Sequence, residues 1–338
     1  MSTIRDVARL AGVSTATVSA TLSGTAFVSE PLRARVREAV EELDYSPHGV
    51  ARSLKSGSTR LIGLVIPDVT NPFFTEFVHA FGALARGDGY SMLLGVTGFD
   101  AAREREAIAL LRMQRVDGII ACPGANADPY NESFAIGSRP AVVLVDNVPV
   151  GVNVDSVVLD NYAAAFVATT YLLDRGHVRV ATVTGPSVSL PGRERIRGFQ
   201  AALAARGIPF DPRYVVSGNF LEEDSRRALG DLLSLDPRPS AIFAAGNLML
   251  VGVMRGLHEA GLSVPTDISV AAVDDFPWAT AFRPALTTVC QPVAAMAEHA
   301  MRLLRARIAG DVSPPTRIEL SASLVIRDSV AGLPQAAF

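Results

Sequence analysis

From Leu61 to Val273 the chain alternates short uncharged apolar runs with longer stretches whose apolar residues recur at helical spacing, and this alternation restricts the fold more than any other feature. Leu61 to Ile66, Tyr90 to Val96, Gly118 to Cys122 and Ala141 to Val145 read as buried strands, with helices from Phe74 to Arg86 and from Ala102 to Gln114. A second series follows: helix Ala163 to Asp174, strand Val180 to Val183, helix Arg193 to Ala205, a strand near Val215, helix Asp224 to Ser234, strand Ala241 to Ala244, helix Leu248 to Ala260 and strand Ile268 to Val273. Two βαβ series predict an α/β fold of two lobes, each a doubly wound parallel sheet. Ligands of such sheets sit beyond the carboxyl ends of the strands. Pro67 to Phe74, Gly185 to Arg195, Gly246-Asn247 and Asp274-Asp275 all lie just past such ends, so they are expected to meet in a cleft between the lobes.

The first 54 residues have a different texture. Thr3 followed by Asp6 has the form of a capping box, and Ile4, Val7, Ala8 and Ala11 recur at helical spacing until Gly12 ends the helix. Ser14 then caps a second helix running to about Leu22, which gives a helix-turn-helix pattern. With Val13, Val18 and Leu22 turned inward, the outer face carries Thr15, Ala16, Thr17, Ser19 and Ala20, small enough to enter a major groove closely. Ser14, Thr17 and Ser19 offer hydroxyls to phosphates. A third helix, opened by Ser29 and carrying Leu32, Val36, Ala39, Val40 and Leu43, closes a three-helix headpiece and is broken at Asp44-Tyr45-Ser46-Pro47. The segment around Arg52-Ser53-Leu54-Lys55 is too short to be a stable helix alone, which suits folding coupled to DNA binding.

The order of motifs resembles the lactose-repressor and galactose-repressor family of bacterial transcription regulators. TIRDVARLAGVSTATVS, LDYSPHGVARSLKSGSTRLIGLVIPD and NPFF match its pattern, and the likeness continues through Asp160-Asn161, the RGH of Arg175 to His177, RERIRGF at Arg193 to Phe199, VDD at Val273 to Asp275 and RPALTTVCQP at Arg283 to Pro292. The resemblance implies a headpiece at 1–46, a hinge at 47–60 and a two-lobed, periplasmic-binding-protein-like domain at 61–338. Its lobes would be 61–160 with 291–320 and 161–290 with 321–330, the chain crossing between them three times. It implies a homodimer on a palindromic double-stranded DNA operator, with a small effector, a sugar or sugar derivative, between the lobes. Thr15, Ala16 and Ala20 then occupy the base-reading positions, and Leu54 that of a leucine inserted into the minor groove beside Arg52 and Lys55. Relatives very often carry arginine where this chain has Ala20, so an altered or relaxed half-site is expected. They also often have Asn-Asp where this chain has Gly246-Asn247.

In the cleft, Phe73, Phe74 and Phe220 are candidate flat surfaces for a ligand ring, Arg195 a forked donor, Asp274 an acceptor for hydroxyls, and Asn247 both donor and acceptor. Arg195 also falls on the family's ligand-contacting arginine. Arg193 and Arg195, read as lying near a helix N-terminus, would welcome an anionic or hydroxyl-rich ligand. Trp278 is read either as a ligand reporter or as a packing residue.

Composition sets the remaining bounds. With 338 residues, 49% hydrophobic and 19% charged, the chain can bury large cores. Residues 1–60 carry a net +2 against −5 for the remainder, so one headpiece grips DNA weakly and a dimer presenting two is the natural remedy. The N-terminus is polar and no 18-residue uncharged apolar run occurs, which predicts a cytoplasmic protein without a membrane partner. Cys122 and Cys290 suit reduced buried thiols, and neither cofactor nor metal is expected. The sequence carries no GxxxxGK, HExxH or GxSxG motif, which favours a binding protein over an enzyme. A sugar-binding protein of periplasmic type without a DNA role is the alternative, and an α/β sugar-processing enzyme with a DNA-binding appendage a remote third.

Overall fold

The computed structural model describes residues 2–23, 26–45, 58–124, 130, 137 and 139–333. The chain forms two compact units, Met1–Thr59 and Arg60–Phe338.

In the first unit, α1 (Ile4–Ala11), α2 (Thr15–Ser23) and α3 (Glu30–Glu42) bury Val7, Ala8, Ala11, Val18, Val36, Ala39 and Tyr45 against one another. The capping box forms as the spacing predicts: Asp6 N–H donates to Thr3 Oγ1, and Thr3 N–H donates to the Asp6 carboxylate. Those hydrogen bonds from Thr3 hold the Asp6 carboxyl below its ordinary range. Gly12, at φ +62°, ends α1 in the left-handed region that a β-carbon disfavours, and its N–H bonds back to the Arg9 carbonyl. Ser29 caps α3 by position without a side-chain hydrogen bond, and Pro31 in the first turn supplies the preset φ.

The second unit contains two six-stranded sheets. The first comprises β1 (Leu61–Ile66), β2 (Ser91–Val96), β3 (Gly118–Ala121), β4 (Ala141–Val145), β5 (Asp155–Leu159) and β11 (Arg317–Leu320), in the order β11-β5-β4-β3-β1-β2 and parallel throughout. The second comprises β6 (Val180–Thr184), β7 (Val215–Ser217), β8 (Ala241–Ala244), β9 (Ser269–Val273), β10 (Thr287–Cys290) and β12 (Ser323–Val325), in the order β12-β10-β9-β8-β6-β7, with only β12 antiparallel to its neighbour. Each sheet is clothed by helices. α4 (Pro72–Gly87), α5 (Ala101–Met113) and α10 (Val293–Ile308) flank the first, and α6 (Asn161–Asp174), α7 (Leu190–Ala205), α8 (Glu222–Leu233) and α9 (Asn247–Glu259) the second.

The central strands β1, β3 and β4 of the first sheet are buried on both faces, which is why they read as continuous apolar runs. Ile62, Leu64 and Ile66 face Phe77, Phe81, Met296 and Leu304, while Val65, Ile119 and Leu144 face Ile108 and Leu111. The second lobe repeats this around Phe199, Phe243, Leu250 and Val273. The chain passes between the sheets three times, after β5, after β10 and after β11.

Several boundaries differ from the periodicity reading. α4 starts at Pro72, where the Asn71 side chain caps it by accepting from Phe73 N–H at 2.9 Å. α7 starts at Leu190, one turn earlier than expected, because Ser189 caps it through Gly192 N–H at 3.1 Å. The strands β5, β10, β11 and β12 and the helix α10 were not anticipated. Among the described residues no helix is long and apolar enough to cross a membrane.

Candidate functional site

Two surfaces carry the predicted chemistry, one in each unit. In the headpiece, Ser14, Thr15 and Ala16 are exposed at the start of α2, and Thr17, Ser19 and Ala20 are half-buried along it. Ser14 Oγ accepts from Thr17 N–H at 3.1 Å and shares a 2.9 Å hydrogen bond with the Thr17 hydroxyl, so these two side chains build the helix start as well as presenting oxygen to solvent. The N-terminal end of α2 thus carries small exposed side chains at the positive end of the helix dipole. The hinge candidates Arg52, Leu54 and Lys55 lie outside the described residues.

In the second unit a cleft of about 470 Å³, partly open to solvent, lies between the two lobes at the carboxyl ends of the strands. It is lined by Pro67, Asn71, Phe73, Phe74, Phe99, Pro123, Gly124, Asp146, Asn147, Ser189, Pro191, Arg195, Phe220, Asp274 and Gln291. Phe73, Phe74, Arg195, Phe220 and Asp274 therefore share one cavity. Asn247 does not line it.

Arg195 is almost wholly buried and held from three sides. Its Nε donates to Asn161 Oδ1 at 2.7 Å, its Nη1 donates to the Ala245 carbonyl at 2.6 Å, and Nη1 lies 3.6 Å from Asp274 Oδ2. Because α7 begins at Leu190, Arg195 sits in its second turn rather than at its end. Its Nε and Nη1 are engaged by protein acceptors, with the Asp274 carboxylate as the nearby counter-charge. Arg193 lies outside the lining and sits 3.5 Å from Glu194. Asp274, just past β9 at φ +74°, also accepts a hydrogen bond from Gln291 Nε2.

Asp146, at φ +68° just past β4, contributes a second carboxyl. Burial pushes its pKa up to about 7; Arg195 partly offsets this, and the like charge of Asp274 adds to it. Its neighbour Asn147 ties the walls together. The Asn147 Nδ2 donates to the Pro123 and Gly124 carbonyls at 3.0 and 3.2 Å, and its Oδ1 accepts from Leu190 N–H of the other lobe at 2.9 Å. From outside, buried Glu104 accepts from Gly124 N–H at 3.1 Å and from the Tyr130 hydroxyl.

The aromatic surfaces are also constrained. Phe73 and Phe74 meet edge to face, with centroids 5.1 Å apart. Phe220, at φ +59°, lies so close to Gly185 that a β-carbon there would fall 2.1 Å from its ring. Gly246 sits on the same ring, its notional β-carbon 3.6 Å from both Phe220 and the Asp274 carboxylate. Trp278 is half-exposed beside Phe276 and lies outside the lining.

Sequence reasoning did not propose Phe99, Asp146, Asn147 or Gln291, whereas Ser189 lies in the Gly185 to Arg195 stretch expected at the cleft. Asp146 and Asn147 directly follow β4, so the strand-end rule applied to that strand finds them. Asn71 caps α4, Asp160 caps α6 through Ala163 N–H at 2.9 Å, and Asn161 anchors Arg195. Among the described residues no cluster of three or more His, Cys, Asp or Glu is placed to hold a metal.

A helix-turn-helix unit on the same chain as a two-lobed cleft of this kind defines a ligand-responsive regulator of transcription. Residues 3–48 match the bacterial regulatory proteins of the lacI family, and residues 169–330 match the periplasmic binding protein-like domain. The chain is 35% identical over 330 residues to the HTH-type transcriptional repressor PurR of Vibrio vulnificus (strain CMCP6), covering 98% of this chain and 99% of that protein. It is 37% identical over 329 residues to the ribose operon repressor of Escherichia coli (strain K12), covering 97% and 100%. The lac repressor dimer bound to operator and the anti-inducer ONPF superposes with a TM-score of 0.81 at 26% identity over 98% of this chain and 99% of that one. The chain belongs to the lacI family of bacterial regulatory proteins and is a DNA-binding transcriptional regulator.

Proposed function

We propose that this protein is a cytoplasmic, non-enzymatic repressor that binds a palindromic operator as a homodimer and takes a neutral, polyhydroxylated metabolite of the sugar class in its cleft. The observation that carries the reading is the buried Arg195–Asp274 pair, set beside Asp146 and Phe220 at the strand ends of one cavity. Two carboxyls face one guanidinium whose charge is already shared, so the cavity offers more acceptors than donors. A ligand rich in hydroxyl donors fits that balance, and a phosphorylated sugar does not. Arg195 and Asp274 bind hydroxyls, while Phe73, Phe74 and Phe220 cover the ring faces. Asn247 acts on closure of the lobes rather than on the ligand. The ribose operon repressor among the relatives points to the same ligand class.

In the same proposal, residues 1–46 form the headpiece, 47–60 the hinge and 61–338 the effector and dimerisation domain. Thr15, Ala16 and Ala20 face base edges, and Ser14, Thr17 and Ser19 face phosphates. Arg52, Leu54 and Lys55 belong to a minor-groove hinge with Leu54 as the wedge. Ligand-driven closure alters the spacing of the two hinges, coupling effector and operator by about 1–3 kcal/mol. Calorimetry with free and phosphorylated sugars tests the cleft: binding of a neutral sugar is expected, and preference for the phosphorylated form would refute the charge argument.

A further inference from the structure

Another cavity, of about 320 Å³ and partly open to solvent, lies in the second lobe at the amino end of β6, the end opposite the cleft. Phe199 and Leu203 of α7 and Val180 of β6, all buried, form its floor, with Ile208 and Tyr214 of the connection between α7 and β7. Its edge is apolar and open: Val178 is 38% exposed, and Phe210, next to the lining residue Pro209, is 41% exposed. Exposed apolar side chains gathered round a concave apolar floor are the mark of a binding site. The shape is held by the protein itself, since Ile208 N–H donates to the Leu203 carbonyl at 3.0 Å and the Tyr214 hydroxyl donates to the Pro237 carbonyl at 2.7 Å.

Two charged side chains line this cavity. Asp211 is matched by Arg213, whose Nη2 lies 2.7 Å from its Oδ2. Arg179 commits only Nε, to the Arg238 carbonyl at 3.1 Å, and its Nη1 and Nη2 meet no acceptor among the described residues. An apolar body with one negative end fits that balance. We infer that the cavity is a second ligand site for an aromatic carboxylate, its ring against Phe199, Leu203 and Tyr214 and its carboxylate on Arg179, and that the bound acid acts on the cleft through α7. Arg195, Phe199 and Leu203 follow one another at four-residue spacing and so share one face of α7. Arg195 lines the cleft and the other two line the cavity, with about 12 Å along the helix axis from Arg195 to Leu203. Phe199 also stacks on Phe243 of β8, with centroids 6.4 Å apart, and β8 leads into Ala245, whose carbonyl accepts from Arg195 Nη1. A ligand pressing on Phe199 therefore bears on both partners of that bond. Only this coupling rests on the effector site proposed above.

The test uses the full-length protein in calorimetry with benzoate, phenylacetate and indole-3-acetate, and with the corresponding primary amides as uncharged controls. Wild type is expected to bind at least one acid, about 10-fold more tightly than its amide. Arg179→Gln is expected to bind acid and amide alike, and Ile208→Trp, which fills the cavity from its half-buried edge, to bind neither. A wild type that binds no acid, or binds acid and amide equally, overturns the inference whether or not the variants fold. Undiminished acid binding by Ile208→Trp puts the acid elsewhere on the protein and overturns it as well. Saturating acid is then expected to shift the affinity for the sugar that calorimetry identifies by about 5-fold or more in wild type and to leave it unchanged in Ile208→Trp. Unchanged sugar affinity in wild type overturns the coupling. Failure of every sugar to bind refutes the effector reading and the coupling that rests on it, an outcome told apart from failure of the second site because the acid titrations are made without sugar.

Discussion

Asn247 Nδ2 donates to Asn71 Oδ1 at 3.0 Å, joining the first residue of α9 in one lobe to the cap of α4 in the other. Both side chains are buried; Asn71 also caps α4 through Phe73 N–H at 2.9 Å, and Asn247 Oδ1 accepts from the neighbouring Leu248 N–H at 2.6 Å. The contact is therefore rigid at each end, and it joins the lobes directly. With the Leu190–Asn147 bond, it makes two links across the cleft formed by the protein's own groups.

Asn247→Asp keeps the oxygen that accepts from Leu248 N–H and replaces the donating amide with a second oxygen facing Asn71. The lobes are expected to spread, with a larger radius of gyration by solution scattering and effector affinity reduced roughly 10-fold, the scale of one lost buried hydrogen bond. Unchanged scattering and affinity would show that the bond does not govern closure.

Asp146 gives the cleft a pH dependence. Its carboxyl is raised to about 7 by burial, so the empty protein holds a proton there at mildly acidic pH. A hydroxyl donating to Asp146 favours the ionised form. Effector affinity is therefore expected to rise with pH through about 7, with proton release on binding, and Asp146→Asn to flatten the profile. Calorimetry in buffers of different ionisation enthalpy reads the proton directly.

Gly185→Ala places a β-carbon inside the Phe220 ring. Phe220 is already held in the left-handed region, so it has little freedom to retreat. Thermal unfolding is expected to show a loss of about 1–3 kcal/mol, with effector binding weakened as the ring leaves the cavity wall. Operator binding by the headpiece should persist.

His177 links the RGH turn to stability. Its ring nitrogens bond to Ser240 Oγ at 3.0 Å and to the Ala331 carbonyl at 3.1 Å, and burial pushes the imidazole below its ordinary value of 6.5. The native state binds a proton there less readily than the unfolded chain, so this contribution is present above about pH 6.5 and declines as pH falls below it. A shallower acid slope in His177→Gln, followed by chemical denaturation from pH 5 to 8, is the expected signature.

Much of this architecture is legible in the sequence because its sheets are buried on both faces. Leu61–Ile66, Ala141–Val145 and Ala241–Ala244 are continuous apolar runs, and each forms a strand with the expected bounds. β11 and β12 escape notice because RIEL and SLV are short, half-exposed edge strands whose pairing is non-local. In the site, Arg195 and Asp274 are visible from position relative to strands, whereas the Gln291 contact depends on a crossing between lobes that periodicity does not encode. Asn247 has the chemical type of a ligand-binding residue, but the structure turns its amide to Asn71 instead.

The central claim is that one chain couples sequence-specific DNA binding to occupancy of the Arg195–Asp274 cleft. Selection of random duplex DNA by the full-length protein at fixed moderate salt, repeated with the sugar that calorimetry identifies, tests it most directly. The account predicts enrichment of a palindrome with a flexible central step, relaxed preference at the base pair opposite Ala20, and a several-fold change in operator affinity when the sugar is present. Enrichment that is identical with and without bound sugar, or no enrichment under either condition, would contradict it.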